Sequence, residues 1–428
     1  MNTNKKPANK GKIRFTEFTL DNGLNIILSR DTTIPSVVIN VCYHVGSKDE
    51  KLTKTGYAHL FEHLMYTGSK NVPQGAYDRL TTYAGGENNA YTTEDKTNYY
   101  LILPSNQLEL GLWLESDRMA AFAISQKALE TQKNVVIEEK RQNFDNRPYG
   151  SVSIEFAPRL FKKSNYRWDT IGNIEDIEKA TLDDIQEFFD TYYVPNNAVL
   201  TIVGDIDIDL TTQLVKKYFG DIKPSATIQR TVFDEISLSN ETKDIIYDNV
   251  HLPGIFFGYR IPQENSREHF VFGILSLILG SGESSRLYRE LVYRKQLVSE
   301  IGCFIDSKEF AGVFYIYGIL MPGVKTEDVK KEMDMIIDKI KRDGAKAEEV
   351  QKAKNKIESH FTYRKQTNLY RADMLAHFKT FYNDADLVNT NIKKYLVITP
   401  EDVYGSANEF IHNSNRVVLT YMPRDTAN

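Results

Sequence analysis

Cysteine is nearly absent from this sequence of 428 residues, in which Cys42 and Cys303 are the only two. Two cysteines cannot form a disulfide framework, and they cannot supply a zinc site built from thiolates. We therefore expect both thiols to act as small hydrophobic groups in the core.

Excess charge of one sign and long apolar runs are also absent. The chain carries 53 basic and 58 acidic residues, so it lacks the excess of positive charge with which proteins bind nucleic acids and anionic lipids. No apolar run reaches the roughly 18 residues of a membrane-spanning helix. The N-terminal stretch MNTNKKPANKGKIRF has no apolar segment of the kind found in secretory signals. We expect a cytoplasmic protein without nucleic-acid or membrane partners, or a periplasmic one if a signal peptide has been removed.

The chain contains an internal repeat. The segments ATLDDIQEFFDTYYVPNNAVLTIVGDID and ITPEDVYGSANEFIHNSNRVVLTYMPRD both have the pattern of a capped helix followed by a strand. Their matching residues lie 218 positions apart: Thr181 and Thr399, Asp184 and Asp402, and Asn197 and Asn415. We predict an N-terminal domain over residues 1–222, a polar linker over 223–245 and a homologous C-terminal domain over 246–428, each mixing strands with amphipathic helices.

The stretch GYAHLFEHLMYTGS, residues 56–69, places two histidines and a glutamate in an apolar run. In a helix, His59 and His63 lie on one face with Glu62 beside them. The other residues are apolar on nearly all sides, so we expect the helix to be buried. A buried helix with two incidental histidines is one interpretation. We prefer a metal site, because polar side chains are costly to bury without partners.

Two imidazoles at this spacing can each bind Zn²⁺ through one nitrogen. Glu62 then lies near the metal without binding it. It can act as a general base that accepts a proton from water as the water attacks a carbonyl group. The order H-x-x-E-H is the reverse of H-E-x-x-H and is described for inverzincins.

A catalytic zinc has three protein ligands and an open position, so a third ligand is needed. In LETQKNVVIEEKRQNFDNRPYG, helical spacing places Glu139 on one stripe with Leu129 and Val136. Glu138 points about 100° away from that stripe. We therefore predict Glu139 as the third ligand. The alternative is that the run EEKR is an ordinary charged outer face.

HLFEH followed by VVIEE, whose last glutamate lies 76 positions after His63, resembles the pitrilysin-type zinc peptidases. That family includes insulin-degrading enzyme and the mitochondrial processing peptidase. The likeness extends over nearly the whole chain, through LDNGLNIIL, GSKDE, GGENNAYTTEDKTNYY, IGNIEDI and YVPNNAVLTIVGD. The resemblance implies two homologous α+β domains, each a mixed sheet packed against helices, with one zinc per chain in the first domain. It makes His59, His63 and Glu139 the zinc ligands and Glu62 the base.

The block GGENNAYTTEDK has the composition of a hairpin edge that starts at glycine. In the family, the matching strand is an exposed edge that pairs with the substrate backbone. The resemblance therefore makes Asn89, Ala90 and Tyr91 candidates for binding a peptide by β-augmentation.

Two features depart from the family pattern. Many relatives carry a second glutamate seven residues before the third ligand, where this chain has Gln132, whose amide can still orient a ligand or water. Active relatives also carry an Arg and a later Tyr in a stretch where this chain has Val292 and Ser299. We expect a heterodimer with a homologous partner that lacks H-x-x-E-H and carries the Arg and Tyr. The alternative is a homodimer in which nearby residues such as Tyr293 and Arg294 substitute.

The expected function is zinc-dependent endopeptidase activity on short or unfolded peptides. A non-enzymatic structural or assembly subunit of a larger complex is the competing interpretation.

Overall fold

The computed structural model describes residues 11–226, 228, 230, 235 and 238–424. The N-terminal stretch 1–10 and part of the predicted linker 223–245 lie outside the described residues. The strands are β1 (Thr16–Thr19), β2 (Asn25–Arg30), β3 (Ser36–Tyr43), β4 (Glu87–Thr92), β5 (Thr97–Pro104), β6 (Ala198–Gly204), β7 (Thr242–Asp248), β8 (Gly254–Ile261), β9 (Val298–Ser307), β10 (Gly312–Leu320) and β11 (Arg416–Pro423).

The α-helices lie in groups between these strands. They are α1 (Tyr57–Leu64), α2 (Ala76–Tyr83), α3 (Leu108–Ala120), α4 (Gln126–Lys140), α5 (Val152–Leu160), α6 (Ile174–Lys179), α7 (Leu182–Tyr192), α8 (Ile208–Phe219), α9 (Arg267–Gly280), α10 (Thr326–Asp343), α11 (Ala347–Arg364), α12 (Asn368–Tyr382), α13 (Leu387–Thr390), α14 (Ile392–Leu396) and α15 (Pro400–Phe410). Two further helical segments are π-helices, Arg141–Asp145 and Tyr288–Arg294. None of the described helices is both long and apolar enough to cross a membrane.

The described chain forms two compact units, and each unit is assembled from three segments. The first takes the described residues up to Asn134 together with the described part of Gly172–Arg230 and Ser359–Asn391. The second takes Val135–Ile171, the described part of Thr231–Glu358, and the described residues from Ile392 onward. The predicted boundaries of two homologous domains stay a prediction. The compact units are defined by contacts in space, whereas the predicted domains are defined by an internal sequence repeat.

The first unit contains a six-stranded sheet in the order β1-β2-β6-β3-β5-β4. Strands β3 and β6 read SVVINVCY and AVLTIVG, and such nearly continuous apolar runs are typical of strands covered on both faces. The pairing of β2 with β6 is parallel, whereas β3 is antiparallel to β5 and β6. Among the described strands β4 pairs only with β5, so its other edge is open.

Helices cover both faces of this first sheet. On one face, Leu375 and Phe378 of α12 share a buried cluster with Val38 of β3. The next residue along β3, Ile39, faces the opposite side, because side chains alternate along a strand. There a Cβ added at Gly111 of α3 would lie 2.4 Å from the Cδ1 atom of Ile39, so glycine allows α3 to approach the sheet closely.

The second unit contains a five-stranded sheet in the order β7-β11-β8-β10-β9. This order matches β2-β6-β3-β5-β4 strand for strand, including one parallel pair followed by antiparallel pairs. Phe314 packs with Phe272 and Met333 on one face of the sheet. Phe156 of α5 packs with Val313 on the other face. The predicted α+β fold with two sheets packed against helices is therefore confirmed.

The internal repeat is visible in the hydrogen bonds that start α7 and α15. Thr181 and Asp184 form a reciprocal capping box, in which each side chain binds the backbone N–H of the other. Thr399 and Asp402 form the same box at α15. The two copies of the repeat thus use the same local interactions to begin the same element.

Candidate metal centre

Helix α1 begins after Gly56, whose φ of 84° lies in the left-handed region that glycine adopts without strain. The first backbone N–H groups are held by a carboxylate, since Gly56 N and Ala58 N donate to the two oxygens of buried Glu50 at 2.9 and 2.8 Å. A negative charge at this end also complements the helix dipole. Glu50 therefore fixes where α1 starts and how it is oriented.

The inner side of α1 is anchored by aromatic stacking. Phe61 is fully buried, and its ring centroid lies 4.2 Å from that of Tyr193 and 4.8 Å from that of Phe122. The prediction of a buried helix is confirmed, because its apolar residues are all buried: Tyr57, Ala58, Leu60, Phe61 and Leu64. The polar residues His59, Glu62 and His63 are half-buried.

The two histidines lie close enough to share one ion. Their Nε2 atoms are 3.4 Å apart, and the planes of their rings meet at 89°. A carboxylate oxygen of Glu139 completes a group in which all three ligand atoms lie within 4.8 Å of one another. Two nitrogens bound to a tetrahedral zinc at its usual bond length are also about 3.3–3.4 Å apart. Two imidazoles and one carboxylate are a donor set that zinc accepts, so His59, His63 and Glu139 fit this metal.

Glu139 and its neighbour point in different directions from the end of α4. Glu139 is half-buried, and Val136, one turn earlier on the same stripe, is fully buried. The side chain of Glu138 is 54% exposed and accepts a hydrogen bond from Gln142 Nε2 at 3.0 Å. Gln132 is half-buried and lies two turns before Glu139 on the same face of α4. Helical phase therefore brings Glu139, and not Glu138, to the two histidines.

Glu62 lies on α1 directly before His63. Its Oε2 atom accepts a hydrogen bond of 2.6 Å from the Oγ1 atom of Thr92, the last residue of β4. The residue beside the two histidines is thus connected to the edge strand of the sheet.

Asn89, Ala90 and Tyr91 lie in the middle of β4, whose outer edge is open among the described strands. The Ala90 N–H donates to Asn89 Oδ1 at 2.8 Å, so this backbone donor points away from β5. The structure therefore places a backbone donor of this segment at the open edge, where an extended peptide could compete for it.

The side chain of Tyr91 contacts α12, on one face of the sheet. Its hydroxyl donates to Asp373 Oδ1 of α12 at 2.5 Å, and Lys96 Nζ donates to the same oxygen at 3.0 Å. The ammonium group of Lys96 also lies 5.0 Å from the ring centroid of Tyr91. These contacts tie β4 to α12 on one face of the sheet.

Sequence reasoning did not identify Glu50, Thr92 or Asp373 as residues that organise the site. Alternation along β4 places Thr92 on the face opposite Tyr91, and this pattern could have indicated its direction. Asp373 lies 282 positions from Tyr91, so no local pattern in the sequence connects them.

Fold and site together define a two-sheet α+β protein with a candidate zinc centre. The family model described as insulinase, peptidase family M16, matches residues 25–166, and the one described as peptidase M16 inactive domain matches residues 179–357. The chain belongs to the peptidase M16 family, and the predicted pitrilysin-type relationship is confirmed.

Relatives and solved structures agree with this assignment. Zinc protease PqqE from Helicobacter pylori is 28% identical over 95% of this chain and 92% of its own length. The structure of a protease from Helicobacter pylori is similar with a TM-score of 0.91 and 28% identity, over 96% of this chain and 100% of that one. The periplasmic protease PqqL from Escherichia coli has a TM-score of 0.79 and 19% identity, over 99% of this chain and 48% of that one. These relatives include proteins named zinc protease, which agrees with the predicted class of zinc metalloprotease.

The contact between β4 and α12 predicts a pH-dependent stability. Burial alone raises the pKa of the Asp373 carboxyl, but the charge of Lys96 and the hydrogen bonds from Tyr91 and Lys96 outweigh it, so this pKa lies below its usual value. A lowered carboxyl pKa adds stability above the unfolded value of about 3.9, and this stability is lost as the pH falls through the folded value. Asp373→Asn should therefore lower the free energy of unfolding by about 2–4 kcal/mol at pH 7.

Urea unfolding of the wild type and Asp373→Asn between pH 3 and pH 7 measures this contribution. The difference between the two proteins should shrink toward the acidic end, where the wild-type carboxyl gains its proton. A difference that stays constant over this range would show that the charge of Asp373 does not stabilise the fold.

Proposed function

We propose that this chain is a zinc-dependent endopeptidase that cleaves short or unfolded peptides, with one zinc held by His59, His63 and Glu139. The observation that carries the proposal is the grouping of these three ligand atoms within 4.8 Å. Glu62, which directly precedes the proposed ligand His63, supplies the carboxylate that acts as general base in such a reaction.

Each residue has a distinct part in the proposed reaction. When bound, zinc would polarise the substrate carbonyl and make water more acidic. Glu62 accepts the proton from the attacking water as general base and later returns it to the leaving amine. Gln132, two turns before Glu139, is proposed to orient that ligand or a water molecule by hydrogen bonding.

The open edge of β4 is the proposed site for the substrate backbone. An extended peptide that pairs with Asn89, Ala90 and Tyr91 would replace the side-chain contact of Asn89 with the Ala90 N–H by a main-chain bond. Main-chain pairing supplies affinity with little regard for side chains, which suits a peptidase that acts on varied sequences.

The competing function is a structural or assembly subunit without peptidase activity. The family model over residues 179–357 is described as an inactive domain, but the candidate ligands lie in the segment matched by the other model. The zinc content of the purified chain separates the two functions, because about one zinc per chain is expected of the enzyme and none of the structural subunit.

The predicted cytoplasmic compartment stays a prediction, and one structurally similar protein is described as periplasmic.

A homologous partner subunit is part of the proposal. Val292, where active relatives carry the Arg, packs against the core of the second unit, and Ser299 donates to a backbone carbonyl at 3.2 Å. Arg294 forms an ion pair of 3.2 Å with Glu290, and Tyr293 is 78% exposed. Neither Val292 nor Ser299 can supply the charged and phenolic donors, so a partner that carries the Arg and Tyr would complete the oxyanion site.

Glu62→Gln should keep zinc and fold but lose peptidase activity. The amide can hold water by hydrogen bonding but cannot accept its proton, and loss of a general base costs about 10² to 10⁴ in rate. The rate of cleavage of an unstructured fluorogenic peptide and the zinc content should be measured in the same preparation. Near wild-type turnover by a zinc-loaded Glu62→Gln protein would exclude Glu62 as the base.

Glu139→Gln and Glu138→Gln form a matched pair of adjacent substitutions. Loss of a residue that hydrogen-bonds to a metal ligand weakens metal binding by up to about 100-fold. Because Glu139 is proposed to bind zinc directly, we expect Glu139→Gln to weaken zinc binding by at least about this factor. Glu138→Gln should leave zinc affinity unchanged, because Glu138 is exposed and bonded to Gln142. Competition with a chelator measures both affinities, and equal loss in the two variants would contradict the assignment of Glu139.

The purified chain should be a poor catalyst by itself. Removing one donor to a developing oxyanion costs about 10² to 10³ in turnover, so addition of the correct homologous partner should raise activity by at least that factor. Cleavage of a fluorogenic peptide by the chain alone and mixed with homologous chains tests this expectation. Full activity of the zinc-loaded chain alone, unchanged by any partner, would favour the homodimer instead.

A further inference from the structure

Thr92 makes a short hydrogen bond to the carboxylate of Glu62. The distance from Thr92 Oγ1 to Glu62 Oε2 is 2.6 Å, within the range of charge-assisted O–H···O⁻ bonds. A carboxylate has acceptor sites on both oxygens, so this bond is compatible with proton acceptance at Oε1. The hydroxyl can therefore hold the side chain of Glu62 in one orientation without blocking its chemistry.

The position of Thr92 is itself fixed by the end of the hairpin. Thr92 pairs with Thr97 across the β4–β5 ladder. The turn that follows is closed by the hydrogen bond from Thr93 N to Lys96 O at 2.8 Å. Two backbone N–H groups, those of Asp95 and Lys96, also donate to the Thr93 hydroxyl at 3.2 and 3.1 Å. Thr92 thus projects its hydroxyl from a closed, paired stretch of backbone.

The face of β4 opposite Thr92 is anchored as well. Tyr91, the preceding residue, is bonded to Asp373 of α12, and Lys96 of the turn binds the same carboxylate. Consecutive residues of one strand therefore contact helices on opposite faces of the sheet, Tyr91 with α12 and Thr92 with α1. This arrangement prevents β4 from moving relative to α1 without breaking a half-buried polar contact.

We propose that Thr92 is a positioning residue that sets the orientation of Glu62 from the strand to which the substrate binds. The inference rests on the proposed function, since it assigns Glu62 as base and β4 as the peptide-binding edge. Asn89, Ala90 and Tyr91 directly precede Thr92, so the peptide backbone and the base are both placed by the same short segment. The scissile carbonyl and Glu62 are thereby held in a constant relation whatever the peptide sequence.

Thr92→Val removes the hydroxyl and keeps the branched shape of the side chain. We expect kcat to fall about 10- to 100-fold, the usual effect of losing a residue that orients a reacting group. KM and zinc content should stay unchanged, and Thr92→Ser should restore kcat because it restores the hydroxyl. Thr201→Val is the matched control, since Thr201 is buried in β6 and its hydroxyl has no hydrogen-bond partner among the described residues.

A double-mutant cycle of Thr92→Val and Glu62→Gln decides whether the two residues act together. We expect Thr92→Val to have no further effect on kcat in the Glu62→Gln background, and the shifts in Tm of the zinc-loaded proteins to be non-additive. An unchanged kcat in Thr92→Val, a loss that Thr92→Ser does not restore, or a parallel loss of zinc would overturn the role of Thr92. A zinc-loaded wild type that cleaves no peptide with any partner would instead overturn the proposed function, and the Tm cycle would still report whether Thr92 contacts Glu62.

Discussion

The carboxylate of Glu50 holds the first backbone N–H groups of α1, and the geometry of the candidate metal centre depends on this contact. A helix of eight residues is too short to be stable by itself, so its position must come from tertiary contacts. Glu50 supplies a charged cap at the start, and the stacking of Phe61 on Tyr193 and Phe122 supplies the packing. With both in place, His59 and His63 can present their nitrogens at a fixed separation.

The edge strand β4 adds the second constraint. It is linked to α1 by Thr92 and to α12 by Tyr91, so the proposed substrate edge and the proposed base belong to one connected set of side chains. Half-buried polar groups of this kind lose stability when a partner is missing, and they therefore favour a single arrangement. Rigid placement of this sort suits catalysis, because a reacting group that is misplaced by about 1 Å can lose about 10²-fold in rate.

Local patterns in the sequence predicted the parts of the site that follow a helical period. The spacing of His59 and His63 placed both on one face, and helical phase separated Glu139 from Glu138. The capped starts of α7 and α15 were also predicted from local spacing, since Asp184 and Asp402 lie three residues after Thr181 and Thr399. Sequence spacing did not predict Glu50, because its partners Gly56 and Ala58 are reached through a loop without a regular period.

Contacts between residues far apart in the sequence were also not predicted from sequence patterns. Helix α12 comes late in the chain, yet it covers a face of the first sheet and supplies Asp373. Such pairing is selected by the whole packed structure and leaves no signature near Tyr91 or Lys96. The division of the chain into compact units that each draw on three segments has the same origin.

We propose that α1 and α4 together form a zinc site with two histidine nitrogens and one carboxylate. X-ray absorption at the zinc edge of the purified, metal-loaded chain identifies these ligands. We predict about one zinc per chain, surrounded only by nitrogen and oxygen at about 2.0–2.2 Å, with two of the neighbours identifiable as imidazoles. Stoichiometric zinc without imidazole ligands, sulfur neighbours at about 2.3 Å, or failure of the chain to retain zinc would contradict a zinc site formed by His59, His63 and Glu139.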